Sequence, residues 1–385
     1  MKIVLLCNEY PPRPNAAGIG VTVQTLARGL SQRGHDVTVV GLGESDEEHF
    51  DFDVRVITLR TINLRYLGGL ISRVKLRRWL TAYVKAEQID IVEAPDSLGL
   101  LPFGLKGCPV AIRLHLSFTA VEKIAGERAG PGVSFYERRT LAANRNWIPI
   151  SDYVMSLTES TFGISAERSM KIRSALPPPP PEMPTAPSLP ENYILYAGNV
   201  CRRKGADVLA KAARRVMAER PDLHLVYVGG VLNENGRTAS ELVREIVGPE
   251  LTPRVHFLGR LERGQVLACM AGARVFAFPS QIESLALVVV EAMSCGTPVV
   301  FTKLPPGPEI VQDGVTGLLA DPRSPDDFAD KIVRILDDPE LAGRLGRAAR
   351  DAAQSFSVEQ CISSTERFYE ELCGNNHGAV NSAIA

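Results

Sequence analysis

At 385 residues, with 45% hydrophobic and 23% charged side chains, the chain has the composition of a folded globular protein and not of a disordered or fibrous one. Its length suits roughly two to three domains of ordinary size. The 43 Lys+Arg and 44 Asp+Glu leave a formal net charge of −1, so there is no global field to gather nucleic acid, and an anionic ligand has to be met by a local basic site.

The seven cysteines (Cys7, Cys108, Cys201, Cys269, Cys295, Cys361, Cys373) show neither metal-ligand spacing nor a small domain to staple, which favours a reducing compartment. After Met1-Lys2 the apolar run Ile3 to Cys7 is too short for a signal-peptide core, and no window approaches the about 18 apolar residues of a membrane span. A cytoplasmic protein is expected.

Ile3 to Cys7 reads as a buried strand. Val21 to Gly34 carries helix-spaced Val23, Leu26, Ala27 and Leu30, and Val37 to Gly41 returns as a strand. Strand, glycine-containing loop, helix and strand make a βαβ unit, which Val54–Leu59, Ile89–Glu93 and Val110–Leu114 extend. Between Pro177 and Pro190 eight of fourteen positions are proline, too dense for a helix or a central strand, so this segment is read as a stiff linker. The pattern then restarts with strands Tyr193–Ala197, His224–Val228, Val255–Leu258, Val275–Phe278 and Pro298–Phe301 and helices Ala206–Glu219 and Leu285–Cys295. Three last helices are expected over Asp326–Asp337, Leu341–Gln354 and Val358–Leu372, packing back on the first domain. The expected division is therefore an α/β domain over 1–176, a linker over 177–190, a second α/β domain over 191–355, returning helix from about 356 to 373 and a flexible tail over 374–385.

Three features carry chemistry. The segment Asn8 to Gly20 joins the first strand to the first helix, and Gly18 and Gly20 let backbone N–H groups approach an anion at a helix N-terminus; a surface turn explains the same glycines equally well. Glu283 and Glu291, eight residues apart, bracket the apolar segment Ser284 to Val290. An isolated pair of helix glutamates is ordinarily solvated, but carboxylates bracketing a segment apolar enough to be buried cost free energy unless they bind something. With Ser284 as N-cap, Glu283 lies before the helix and Glu291 two turns inside it. His115 ends the strand Val110–Leu114, where α/β sheets bind ligands, although a lone histidine is also often a satisfied core residue. Asp51-Phe52-Asp53 is read as a solvated turn and not as a metal site.

Taken together, Glu283 to Glu291, then Ala292-Met293-Ser294-Cys295-Gly296-Thr297-Pro298-Val299-Val300, then Pro308-Glu309-Ile310-Val311-Gln312-Asp313-Gly314-Val315-Thr316-Gly317, resemble the retaining GT-B glycosyltransferases of family 4. Tyr10-Pro11-Pro12 with Gly18 and Gly20, followed by Arg33-Gly34-His35-Asp36, is similar to the opening of the same family. The resemblance implies an α/β, GT-B architecture of two Rossmann-like domains facing across an interdomain cleft. It implies a nucleotide-sugar (NDP-sugar) donor, a hydroxyl acceptor, no nucleic acid, and a metal-independent, retaining hexosyl transfer with no cofactor.

The resemblance also implies roles for individual residues. Glu291 would hold the ribose hydroxyls, Glu283 the donor sugar, and the amides of Ser284, Leu285, Ala286, Leu287 and Val288 the diphosphate. Leu261 would read the base, and Gly18 and Gly20 would approach the phosphates. Lys204 and Arg203 would neutralise the leaving diphosphate, and His115 would face the reacting sugar. Three departures stand out. Asn199 replaces the arginine common after the strand glycine, Pro305-Pro306 replaces a glycine pair, and Ser-Leu-Ala after Glu283 replaces the commoner Gly-Phe-Gly. An NDP-sugar epimerase of the same architecture and a non-catalytic sugar-nucleotide-binding subunit fit the same motifs.

From Arg60 to Ala86 there are seven basic residues (Arg60, Arg65, Arg73, Lys75, Arg77, Arg78, Lys85) and no acid. Such a stretch, Arg60 to Lys85, suits peripheral contact with anionic lipid or a phosphorylated acceptor; a core-packed helix with a solvated basic face explains it as well.

Overall fold

The computed structural model describes residues 1–13, 18–65, 67–126, 130, 132–180, 184, 187–234 and 236–381, with backbone alone over 375–381. The chain divides into two compact units, Met1–Pro177 with Ser357–Ala385, and Pro178–Phe356.

In the first unit the strands are β1 (Lys2–Leu6), β2 (Asp36–Gly43), β3 (Glu47–Asp51), β4 (Val54–Arg60), β5 (Ile91–Pro95), β6 (Val110–Leu114), β7 (Asn146–Pro149) and β8 (Arg168–Ser169). They form one sheet of order β3-β4-β2-β1-β5-β6-β7-β8, parallel except for the β3–β4 hairpin. The helices are α1 (Gly18–Gln32), α2 (Gly68–Glu87), α3 (Phe118–Ala125), α4 (Val133–Ala143) and α5 (Asp152–Phe162). The continuous apolar run Ile3–Leu6 of β1, fully buried, follows from a parallel sheet covered on both faces. Of the two tryptophans, Trp147 is fully buried on β7 and donates Nε1–H to the Asn144 carbonyl, while Trp79 on α2 stacks against Tyr83.

Several local expectations change. The first helix begins at Gly18 and not at Val21, so Gly18 and Gly20 lie in its first turn. A Cβ on Gly20 would sit 2.0 Å from the Glu9 carbonyl oxygen, so this glycine is needed to seat α1 against the preceding backbone, whereas Gly18 faces open space. Pro14 to Ala17 of that loop lie outside the described residues. Asp51 is not simply solvated: it accepts from Tyr10 Oη at 2.7 Å, Arg28 at 2.7 and 3.0 Å and Gln24 at 3.2 Å. Burial opposes its charge, but these hydrogen bonds, Arg28 foremost, hold its carboxyl below the usual range.

Three of the seven basic residues of the stretch are engaged by the fold, while Arg60, Arg65, Arg78 and Lys85 are exposed. Arg73 donates to the carbonyls of Gly99, Gly69 and Leu98, Arg77 to Gly104 and Lys75 to Arg60. No helix among the described residues is long and apolar enough to cross a membrane.

The second unit has strands β9 (Tyr193–Ala197), β10 (His224–Val228), β11 (Asn233–Glu234), β12 (Arg237–Thr238), β13 (Val255–Phe257), β14 (Val275–Phe278), β15 (Val299–Thr302) and β16 (Leu318–Ala320). Six of them form a parallel sheet of order β13-β10-β9-β14-β15-β16, and β11–β12 is a separate two-stranded hairpin. The helices are α6 (Ala206–Ala218), α7 (Ala239–Val247), α8 (Arg263–Gly272), α9 (Leu287–Ser294), α10 (Gly307–Ile310), α11 (Pro325–Asp337) and α12 (Pro339–Ala353). Buried Tyr196, Tyr227, Phe276, Phe278 and Phe301 fill the core in ring-to-ring contact. Two phenols also find carbonyl acceptors, Tyr196 on Asn199 at 2.7 Å and Tyr227 on Ala206 at 2.8 Å.

Residues 181–183, 185 and 186 of the proline-rich segment lie outside the described residues. Of the others, Pro178 and Pro184 are not a free spacer: the Pro178 carbonyl accepts from Arg263 on α8, and a Cβ on Gly264 would meet Pro184 at 2.4 Å.

Of the three helices expected to return, α11 packs on α6 and α12 on α9 inside the second unit. The last helix, α13 (Val358–Asn381), alone belongs to the first unit, and it runs past Gly374, where a flexible tail is expected from the sequence. One glycine costs a helix about 1 kcal/mol and does not by itself end it. Gly29 on α1 makes room for Ile362, since a Cβ there would lie 1.8 Å from that side chain. Arg33 pairs with Glu359 and Glu366, and His35 Nε2 meets Glu366 at 2.9 Å.

Beneath them Arg113 and Glu93, 1% and 4% exposed, form a bidentate pair at 2.7 and 2.9 Å, and Tyr369 Oη donates to Glu93 at 2.7 Å. Removing one partner of such a pair strands a buried charge. Glu93→Gln is expected to cost about 3–5 kcal/mol, and Tyr369→Phe about 1.5–3 kcal/mol through loss of a hydrogen bond to a charged group. Urea unfolding curves check both, and a Tyr369→Phe change below half the lower figure would mean that α13 is not latched here.

Candidate functional site

In the second unit the strand ends are built from glycine. Gly198, Gly229 and Gly259 follow β9, β10 and β13 at φ 136°, 130° and 68°, all in the left-handed region that favours glycine. Gly198 N–H donates to Val228 O at 2.9 Å and Gly229 N–H to Gly259 O at 2.7 Å. A Cβ on Gly229 would lie 2.0 Å from the Gly198 carbonyl oxygen, so the two backbones approach as closely as glycine alone permits. Above them a cavity of about 250 Å³ is lined by Gly198, Asn199, Gly230, Arg260, Leu261 and Val288, among others. It lies beyond the carboxyl ends of parallel strands, the usual ligand position in an open α/β sheet.

Lys204 ends a single 3₁₀ turn, Arg202–Lys204, closed by Gly205 at φ 77°. A Cβ on Gly205 would meet Pro279 O at 2.0 Å, so the turn lies directly on the segment leading to Glu283. This places Lys204 Nζ 2.6 Å from Glu283 Oε1, with the lysine side chain 20% and the glutamate side chain 9% exposed. The neighbouring Arg203 carbonyl accepts from Gln281 N–H at 3.1 Å, and Glu234 caps the turn through Arg202 N–H.

The helix carrying Glu291 differs from expectation. Its N-cap is Ala286, at φ 52° and ψ 56°, and not Ser284; α9 starts at Leu287, which puts Glu291 one turn in and not two. Left-handed geometry at a residue with a Cβ costs about 1–2 kcal/mol, and it ends the preceding turn so that the helix restarts with free N–H groups. Val288 and Glu291, three residues apart, share a helix face; Val288 lines the cavity, and Glu291 Oε1 accepts from Arg263 Nε at 2.7 Å. Arg263 and Arg260 were not singled out from the sequence. Their significance is tertiary, since Arg263 stands 28 residues from the carboxylate it meets.

Of the residues expected to bind donor, the second unit thus brings Asn199, Leu261 and Val288 to one cavity and pairs Lys204 with Glu283. Glu291 is drawn to Arg263, and Ser284, Leu285, Ala286 and Leu287 supply the turn entering α9. Among the described residues no group of three His, Cys, Asp or Glu is placed to hold a metal ion.

Gly18, Gly20 and His115 belong to the first unit. His115 follows β6 at the carboxyl edge of its sheet and is 8% exposed. Burial, with Arg113 nearby, lowers its imidazole pKa to about 3, so it is neutral at physiological pH. Its backbone N–H donates to Asp96 Oδ1 at 2.9 Å. Asp96 is fully buried, with Oδ2 unpartnered among the described residues, and burial raises its pKa to about 7, assisted by Glu137 and opposed by the N–H groups of His115, Ser97 and Leu116. Glu137 in turn accepts from the N–H groups of Leu98, Phe118 and Thr119, so two buried carboxylates hold the loops around His115.

These two titrations oppose one another. Native Asp96 holds its proton more tightly than the unfolded chain, so its contribution to stability is lost as pH climbs from 3.8 to about 7. Native His115 holds its proton less tightly, so its contribution grows as pH climbs from about 3 to 6.5. Asp96→Asn should therefore give a Tm that rises more steeply with pH across that window than the parent's, and His115→Gln one that falls. Calorimetry at several pH values checks the pair, and parallel profiles in all three proteins would show that neither group titrates as described.

Comparison with known proteins bears on both units. The family model described as Glycosyl transferases group 1 matches residues 184–352, and Glycosyltransferase Family 4 matches residues 16–174. An uncharacterized glycosyltransferase of Methanocaldococcus jannaschii is 30% identical over 47% of this chain and 48% of its own. In such matches the chain spans about half the length of the curated relatives. A D-inositol 3-phosphate glycosyltransferase of Thermobifida fusca is 26% identical over 94% of this chain and 90% of its own. Among solved structures, Anabaena HepE in complex with UDP and glucose matches with a TM-score of 0.76 at 20% identity, covering 97% of this chain and 100% of that one, a likeness of fold. With a family match on each unit and a glycosyltransferase relative over almost its whole length, the chain belongs to the group 1, family 4 glycosyltransferases, and its likeness to solved structures is that of the GT-B fold.

Proposed function

We propose that the chain transfers a sugar from a nucleotide diphosphate to an acceptor hydroxyl with retention at the anomeric carbon. The observation that carries this is the pair of cation-held carboxylates, Lys204–Glu283 and Arg263–Glu291, on either side of the turn into α9 beside the glycine-floored cavity. UDP, the nucleotide bound in the HepE complex, is the first donor nucleotide to test.

The base would lie in the cavity against Leu261 and Val288, with Asn199 and Arg260 at its wall. Glu291 would accept the ribose hydroxyls, with Arg263 keeping its carboxylate aimed. The diphosphate would sit over the N–H groups at the start of α9, which favour an anion. Lys204 and Arg203 would neutralise the charge that grows as the bond from the anomeric carbon to the diphosphate breaks. Glu283 would fix the sugar hydroxyls. The acceptor oxygen bonds to the anomeric carbon on the face the diphosphate leaves, and its proton passes to the departing diphosphate.

Glu291→Ala should weaken UDP and UDP-sugar alike, since ribose is common to both; loss of charged hydrogen bonds of roughly 1.5–3 kcal/mol corresponds to about 10- to 150-fold in Kd. Glu283→Ala should spare UDP and impair turnover. Calorimetric titration checks both, and equal affinities in wild type and Glu291→Ala would sink the assignment. Product analysis with labelled donor separates transfer from epimerisation, which yields no glycosylated acceptor, and the anomeric configuration of the product tests retention.

With the diphosphate charge assigned to Lys204, Arg203 and the α9 amides, transfer should persist in excess EDTA. Loss of activity restored by Mg²⁺ or Mn²⁺ would replace this assignment with a metal-bridged one.

A further inference from the structure

In the second unit β10 and α7 are joined by residues 229–238, a longer connection than the about two to six residues usual between a strand and a helix. It first runs beside the chain that follows β9: Val200 N–H donates to Gly230 O at 2.9 Å, Leu232 N–H donates to Val200 O at 3.1 Å, and Val200 bridges Val231 in parallel. It then turns back as the β11–β12 hairpin, whose return arm is tied to α7. Ala239 N–H donates to Leu232 O at 2.9 Å, Thr238 and Glu241 form a reciprocal capping box, and Arg237 pairs with Glu245. Held at both ends, the hairpin presents Glu234 to the turn that carries Lys204.

That turn is short and starts weakly. Arg202–Lys204 is a single 3₁₀ turn opened by Cys201 in extended geometry, and a thiol is a poor acceptor at a position where a hydroxyl or carboxylate usually stands. Glu234 brings the stronger acceptor from outside, its two carboxylate oxygens lying 3.2 and 3.3 Å from Arg202 N. The other end of the turn is fixed by Gly205 against Pro279 O and by Gln281 N–H on Arg203 O at 3.1 Å. Between these two anchors Lys204 reaches Glu283 at 2.6 Å.

We propose that Glu234 is a positioning residue, which caps the Arg202–Lys204 turn from the hairpin and so holds Lys204 against Glu283. A carboxylate beside the three cations Arg202, Arg203 and Lys204 weakens the field that the turn offers an anion, so Glu234 serves the geometry of the turn and not its charge. Its effect on turnover rests on the transferase reading, in which Lys204 meets the leaving diphosphate; its effect on the placement of Lys204 does not.

The test uses the full chain with its lysines dimethylated by ¹³C-formaldehyde, a modification that keeps their charge, and with the Lys204 resonance identified by its absence in Lys204→Arg. Glu234→Gln keeps an oxygen to accept from Arg202 N–H without the charge, and Glu234→Ala removes both. Glu234 is not among the buried residues of the core, so both variants are expected to fold. Expected are a displaced Lys204 resonance in Glu234→Ala and one at the wild-type position in Glu234→Gln. On the unmodified chain with UDP-glucose as donor, kcat for release of UDP should fall about tenfold in Glu234→Ala, with KM within about twofold, and recover in Glu234→Gln. An unmoved resonance in Glu234→Ala, or equal displacement in both variants, would overturn the proposal. A displaced resonance with unchanged kcat would support the cap and refute the role given to Lys204. No release of UDP by the wild type would count against the transferase reading, and the resonance alone would then decide this proposal.

Discussion

Close backbone approach at Gly229 and Gly205 is the constraint on which the second unit depends. Protein interiors are packed near the density of organic crystals, and at these two positions the gap left for a side chain is smaller than one carbon. With Gly198 O lying against Gly229, the segments after β9 and β10 leave the sheet together and bridge at Val200 and Val231. Tyr196 then ties the first of these segments down through the Asn199 carbonyl. With Pro279 O lying against Gly205, the lysine turn and the glutamate segment cannot separate without opening the core. The charged side chains are flexible, but each hangs from backbone that has no alternative position.

The two ion pairs have a further physical role. Glu283 and Glu291 are half or more withdrawn from water, and much of the cost of desolvating them is met by folding, with Lys204 and Arg263 as standing partners. A ligand hydroxyl or phosphate entering there exchanges one hydrogen-bond partner for another and does not strip a fully hydrated charge, which is what makes a polar site preorganised. Arg263 spans the Glu291 carboxylate and the Pro178 carbonyl, so the start of α8 is fixed from two sides.

How much of this could be read in the sequence depended on burial. Strands with fully buried runs, such as Tyr193–Ala197 and Val275–Phe278, announce themselves because nothing but apolar residues suits them. The edge strand Glu47–Asp51 does not, since its residues face solvent and its hydrogen bonds, not its side chains, make it a strand. Glu283 and Glu291 were legible because carboxylates beside an apolar run are costly without partners. Arg260 and Arg263 were not, because an arginine at the start of a helix is unremarkable until the fold brings it to a carboxylate. Alanine carries no sequence signal for the left-handed geometry it takes at 286, so spacing alone starts the helix around Glu291 too early. Asp51 reads as a solvated turn for a related reason, since its three partners come from distant segments and no local pattern gathers them.

Trp79 and Trp147, the whole tryptophan complement of the chain, both lie in the first unit. Ultraviolet emission excited at the red edge of protein absorption therefore originates from the first unit, and the second unit is dark. Trp147, enclosed and hydrogen-bonded, shifts to the red only when β7 comes apart, whereas Trp79, stacked on Tyr83 and partly wetted, is the one open to collisional quenchers. A melt followed by fluorescence thus traces one unit, and its disagreement with a melt followed by backbone dichroism gives directly the independence of the other.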